Sequence, residues 1–238
     1  MAQLLRSWKE SCIVFLPKNF KLFFLAVLNT FAKGLIPFLL YFGIFIVGSL
    51  VVLVWQFQYF PSTWLIIFVF CGVASSFGMY AALRPSVSRK NARYFIGFGF
   101  HFIWFIIFEF LFRIFNEGIE LAVGSSARFW LQGLLFTPFM IYFFFFLLDS
   151  QPGFLQQFRN LKSAFMFILY NLPFTLISAF ILIIPSLLLR KISFIIPSAA
   201  FIAPLLYILY SIIVMFFGLS WFCVMYTKRV YEQYDLYK

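Results

Sequence analysis

Within the stretch "FHFIWFIIFEFLFRIF" three ionisable side chains, His101, Glu109 and Arg113, interrupt an otherwise apolar run. Such groups are costly to hold in an apolar medium, so each needs a partner or a task. Glu109 and Arg113 are one helical turn apart, which sets carboxylate and guanidinium on the same face. Paired, they let Arg113 reach the outer headgroups; the competing use of Glu109 is to bind a substrate or a transferable proton. The pairing is the favoured reading. His101 is the chain's single histidine, two turns before Glu109, so a triad or zinc site would have to use it alone and a packing or interfacial role is preferred. Lys33, in "FAKGLIPF" ahead of Gly34 and Pro37, could meet a substrate anion where a helix is interrupted, although snorkelling to the headgroups is the stronger reading. Glu109, Arg113, His101 and Lys33 form the candidate intramembrane polar site.

Other chemistry finds little to work with. The sequence holds no HExxH, GxSxG or GxxxxGK[ST] pattern and no paired intramembrane carboxylates. Cys12, Cys71 and Cys223 are isolated, far from the spacing of a metal site or a redox pair. No catalytic residue, metal or cofactor is assigned, and the chain reads as non-enzymatic.

The elements that must position these residues follow from composition. Of 238 residues 64% are hydrophobic and only 11% charged, and 40 are Phe, more apolar surface than a water-soluble fold of this size can hide. A bilayer is therefore the solvent. Apolar runs of about 20 residues without alternation mean helices rather than a barrel. The expected fold is all-α, a single integral membrane domain over 1–238 with a polar tail at 227–238. Six spans are expected. The first lies in the long block from Phe20 to Trp55, kinked near Pro37. The others run about Trp64 to Leu83, Phe95 to Phe115, Phe129 to Leu148, Leu172 to Leu189 and Ile195 to Tyr226. "IIPSAAFIAP" offers small residues for close helix approach. The first fifteen residues lack the core of a cleavable signal, so the first span is expected to direct insertion.

The 18 Lys and Arg against 7 Asp and Glu give a net charge of +11. In a polytopic chain that surplus reports topology, and nucleic acid is not required. With Lys33 set aside, thirteen basic residues fall on one side of the expected bundle, against Arg113, Arg128, Arg190 and Lys191 on the other. Both termini are accordingly expected in the cytoplasm.

Where the apolar chain pauses, "FLQQFRNLKSAFMFIL" puts Phe154, Leu155, Phe158, Leu161, Phe165, Ile168 and Leu169 on one helical stripe. Gln157, Arg159, Asn160, Lys162 and Ser163 lie off it, the pattern of a helix resting in the headgroup region. The N-terminus repeats the pattern. Leu5, Trp8, Cys12, Phe15 and Leu16 stand 153 residues before Phe158, Leu161, Phe165, Ile168 and Leu169, with Arg6 and Lys9 answering Arg159 and Lys162. A weaker echo, "SVSRKNARYFIGFGFHF", completes three units of interfacial helix plus two spans at 3–83, 86–148 and 153–226.

The segments "SWKESCIVFLPKNFKLFFLAVL" and "LLDSQPGFLQQFRNLKSAFMFILYNLPFTL" resemble uncharacterised bacterial six-helix membrane proteins related to the membrane domain attached to some glycerophosphodiester phosphodiesterases. Those proteins are similar in an acidic residue closing the fourth span, here Asp149, then an amphipathic stretch and an aromatic-rich span. The resemblance covers nearly the whole chain through compositional motifs, and departs in the Phe load and in the absence of a soluble catalytic domain. It implies a bacterial inner-membrane location and leaves molecular function open.

The expected partners are membrane lipids. Arg84, Arg89, Lys90, Arg93, Arg159 and Lys162 would each draw anionic headgroups with about 1 kcal/mol near the surface. A lipid-interacting, organising or partner-binding role leads; a small-molecule transporter or permease subunit using Glu109 and Lys33 is the alternative. The latter needs a water-accessible cavity lined by Glu109.

Overall fold

The computed structural model describes residues 2–56, 78–83, 96–124, 129–150, 153–195 and 202–232, and among them every regular element is helical. Lipid offers no hydrogen-bond partners to the backbone, which leaves helices as the way to satisfy it. Helix α1 spans Ala2–Cys12 and runs through a 3-10 turn at Ile13–Phe15 into α2, Pro17–Gln56. Pro17 opens α2 because its missing N–H costs nothing in the first turn. After a helical segment at 78–83 come α3, Ile96–Val123, and α4, Phe129–Asp149. Next are α5, Phe154–Tyr170, and α6, Leu172–Ile195. Helix α7, Ile202–Thr227, ends in a π turn at Lys228–Glu232.

Among the described residues three stretches are long and apolar enough to cross a membrane: Pro17–Leu40 in α2, Phe129–Asp149, and Ile213–Val230. Helices α5 and α6 form a fourth only if counted together across an 87° bend. The described residues thus carry three or four of the six expected spans. Of the second expected span only 78–83 is described, and 196–201, in the middle of "IIPSAAFIAP", lies outside the described residues. Helix α3 runs eight residues past the expected end at Phe115 and takes in Glu117 and Glu120, which makes it more charged than a simple span. Helix α2 continues without interruption through Lys33, Gly34 and Pro37.

The core is built around α4. Tyr142, Phe143, Phe144 and Phe145 are consecutive, so they point to every side of the helix, and all four are buried. Phe105 of α3 meets Phe144 at 4.2 Å between ring centres and Phe108 meets Phe143 at 4.5 Å. Phe167 of α5 and Phe222 of α7 hold Tyr142 at 4.6 and 5.4 Å. Edge-to-face and tilted rings add to dispersion here, which matters because lipid is as apolar as the core. A second cluster joins α2, α6 and α7 through Phe23, Phe174 and Trp221, whose indole Nε1 donates to Ser178 Oγ at 2.9 Å.

Helix α2 approaches α7 closely at Gly34, where a Cβ would stand 2.8 Å from Phe216 Cζ and 3.2 Å from Leu83 Cδ2. The Phe216 ring cannot easily yield, being buried and stacked on Phe38 at 4.8 Å. Gly34→Val is expected to cost about 1–3 kcal/mol through overpacking and to lower the melting temperature in detergent. An unchanged melting temperature would contradict this packing.

Candidate functional site

Two places combine polar groups with exposed or open apolar surface. The first is the corner where α5 turns into α6. The Phe167 and Ile168 carbonyls still accept from the Asn171 backbone N–H, but Pro173 has no N–H to offer the Leu169 carbonyl and the chain bends away beyond Asn171. Helix α1 supplies the donors. Trp8 Nε1 donates to the Leu169 carbonyl at 2.8 Å and Ser7 Oγ to that of Tyr170 at 3.0 Å. The Phe167 carbonyl, which takes the Asn171 backbone N–H at 3.0 Å, also accepts from Asn171 Nδ2 at 2.8 Å.

The same helix is tied to the far end of the chain. Glu10 Oε2 accepts from Arg229 Nη1 at 3.2 Å, and Arg229 Nη2 donates to the Ser7 carbonyl at 3.2 Å. Arg6 Nε donates to the other Glu10 oxygen at 3.1 Å. The Arg229 side chain is only 10% exposed against 82% for Arg6, so Arg229 is the better shielded partner of a Glu10 that is itself 39% exposed. A cleft of about 440 Å³ lies between these groups, lined by Ser7, Glu10, Ser163, Asn171 and Arg229.

Helix α5 presents three faces rather than the two expected. Gln157, Asn160, Ala164 and Ile168, spaced by three or four, are buried against the protein. The buried polar pair is satisfied: Asn160 Nδ2 donates to Ser150 Oγ at 2.8 Å and to Gln157 Oε1 at 3.0 Å, and Gln157 Nε2 to the Gly153 carbonyl at 3.2 Å. Asn160 therefore fastens α5 to the end of α4, with Gln157 bonded to it and to the residue before α5, and Ile168 leaves the outer stripe for the inner face. Phe154, Leu155, Phe158 and Phe165 are each more than half exposed, with Arg159 and Lys162 exposed beside them. On α1 the match at a spacing of 153 extends to exposure only in part, and Cys12, Phe15 and Leu16 differ in exposure from Phe165, Ile168 and Leu169. Leu5, Arg6 and Lys9 are exposed as Phe158, Arg159 and Lys162 are, and Ser11 is buried as Ala164 is. Arg84, Arg89, Lys90 and Arg93 lie outside the described residues.

The second place is a cavity of about 450 Å³ between 78–83, α3, α4, α6 and α7. Glu109 and Arg113 line it as an ion pair, Glu109 Oε1 taking both Arg113 Nε and Nη2 at 3.3 Å. The carboxylate is 19% exposed and the guanidinium side chain 63%. Gln132, Thr137 and Tyr80 add polar groups, while Phe105, Phe144 and Leu219 are among the apolar walls. Helix α4 widens into a π turn at Gln132–Phe136, with Thr137 N–H donating to the Gln132 carbonyl. Pro138 just beyond has no N–H to offer the carbonyl four residues back, which favours the wider turn; such turns recur at functional sites.

Of the four residues named for the intramembrane site, the structure brings Glu109 and Arg113 together. Lys33 is exposed on α2 and is not among the cavity's lining residues. His101 belongs to α3 two turns before Glu109, and its side chain lies outside the described residues. Asp149, the acidic residue behind the family resemblance, closes α4 and accepts a hydrogen bond from the Tyr226 hydroxyl at 3.1 Å. Gln132 and Thr137 escaped the sequence reading; "QGLLFTP", an amide and a hydroxyl ahead of a proline inside an apolar run, was the available signal. Among the described residues no group of three or more His, Cys, Asp and Glu could hold a metal ion.

No protein-family model, curated protein or solved structure matches the chain.

The corner makes a direct forecast. Arg229→Gln removes a charge-assisted bond to the part-exposed Glu10, worth about 1 kcal/mol once solvent screening is allowed for. Amide exchange over residues 2–12 should then accelerate at least several-fold while α4 keeps its protection. Equal exchange in both proteins would show that Arg229 does not hold α1.

Proposed function

We propose that this is a non-enzymatic integral membrane protein whose interfacial helices bind anionic lipid headgroups, in an organising or partner-binding role. The exposed face of α5 carries the reading: Phe154, Leu155, Phe158 and Phe165 are suited to enter the acyl boundary, and Arg159 and Lys162 to meet phosphates. Each such cation contributes about 1 kcal/mol near an anionic surface, and salt weakens it. The Glu10–Arg229 pair joins the N-terminal helix to the end of α7 and so favours both termini on one side. With the surplus of Lys and Arg, that side is the cytoplasmic face of a six-span bundle in a bacterial inner membrane. The sequence match of the two amphipathic segments at a spacing of 153 supports an origin by duplication.

A transport role is the second reading, and the cavity beside Glu109 is the observation that favours it. It would have Glu109 and Arg113 exchange their mutual pairing for a passing substrate.

The leading reading is tested in reconstituted bilayers containing phosphatidylcholine and phosphatidylglycerol. Spin-labelled lipids report which species is held at the protein surface. The wild type should prefer the anionic lipid, and the combined Arg159→Gln and Lys162→Gln variant should lose several-fold of that preference, as should the wild type in high salt. A preference indifferent to both changes would refute it.

A further inference from the structure

The cavity between α3, α4, α6 and α7 has the composition of a site for one amphiphile. Its volume, about 450 Å³, falls within the range of roughly 300–1,000 Å³ common to small-ligand pockets. Its polar residues carry both signs of charge: the Glu109 carboxylate, the Arg113 guanidinium, and the neutral Gln132 amide and Thr137 hydroxyl. The ion pair rests on one carboxylate oxygen, Oε1, which meets Arg113 Nε and Nη2 at 3.3 Å each. Two long contacts to a partner that is 63% exposed make a pair that a third group can join.

From this complementarity we infer that the cavity binds a glycerophospholipid with a primary-ammonium headgroup. The phosphate accepts from Arg113 and from Gln132 or Thr137, the ammonium donates to Glu109, and an acyl chain lies along the Phe105 and Phe144 side. A purely anionic head would set its charge against Glu109. A quaternary ammonium has no N–H to give that carboxylate. The apolar wall selects the lipid over its water-soluble headgroup. The inference concerns binding alone, so it stands apart from both the surface role of α5 and any passage across the membrane.

The test uses the full-length protein in mild detergent, offered equal amounts of phosphatidylethanolamine, phosphatidylcholine and phosphatidylglycerol, with retained lipid read by native mass spectrometry. Phosphatidylethanolamine should be retained about tenfold over either competitor, roughly the effect of one charge-assisted bond. Glu109→Gln and Arg113→Gln should each abolish the preference, and the Arg159→Gln and Lys162→Gln variant should keep it. Soluble phosphoethanolamine at matched concentration should not displace the lipid. If either single variant does not fold, the exchanged pair Glu109→Arg with Arg113→Glu preserves the intrahelical contact and should still lose the preference. Equal retention of the three lipids, a preference that survives all these substitutions, or displacement by soluble phosphoethanolamine would each overturn the assignment.

Discussion

A helix that stops at the edge of a bilayer leaves carbonyl groups that water serves poorly and lipid not at all. At the end of α5 that demand is acute, because the chain turns through 87° at Asn171 to enter α6. The donors come from the other end of the sequence: Trp8 and Ser7 of α1 reach the carbonyls of Leu169 and Tyr170. Once α1 is seated there, Glu10 lies within reach of Arg229, and the N-terminal helix, the α5–α6 corner and the exit of α7 become one polar junction. The same bend turns α5 away from α6 and leaves its Phe154, Phe158 and Phe165 face uncovered, with Arg159 and Lys162 exposed beside it.

Below the junction the problem is reversed. Apolar surface gains nothing by leaving lipid for protein, so cohesion has to come from fit. The four consecutive buried rings of α4 supply it, each meeting another element, and Gly34 lets α2 come near enough to α7 to use Phe216 and Phe38. Large rings leave irregular gaps as well as close contacts. The cavity beside Glu109 is such a gap, and the π turn of α4 brings Gln132 to its edge.

The helical class and the amphipathic character of residues 154–170 were legible in the sequence because both rest on periodicity and composition. The pairing of Glu109 with Arg113 was legible for the same reason, being local to one helical turn. What local patterns do not encode is which face a neighbour will claim. Gln157 and Asn160 looked like the wet side of α5, yet Ser150 at the end of α4 needed a partner and took Asn160. The roles of Ser7 and Trp8 depend on groups some 160 residues away and left no trace in their own surroundings. Helix α3 outran its expected end because Glu117 and Glu120 marked the limit of the apolar run, and a helix continues past that limit when nothing such as proline stops it.

The proposed placement of α5 in the membrane plane is the point on which the proposed lipid-binding role depends, and depth along the helix decides it. Spin labels introduced one at a time from Leu155 to Tyr170 in the reconstituted protein report depth through their relative exposure to oxygen and to a water-soluble relaxation agent. An interfacial α5 predicts a depth that oscillates with the helical period about one shallow value, deeper at Phe158 and Phe165 and shallower at Arg159. A depth that instead changes steadily along the segment, by about 1.5 Å per residue, would make α5 part of a membrane span and contradict the interfacial assignment.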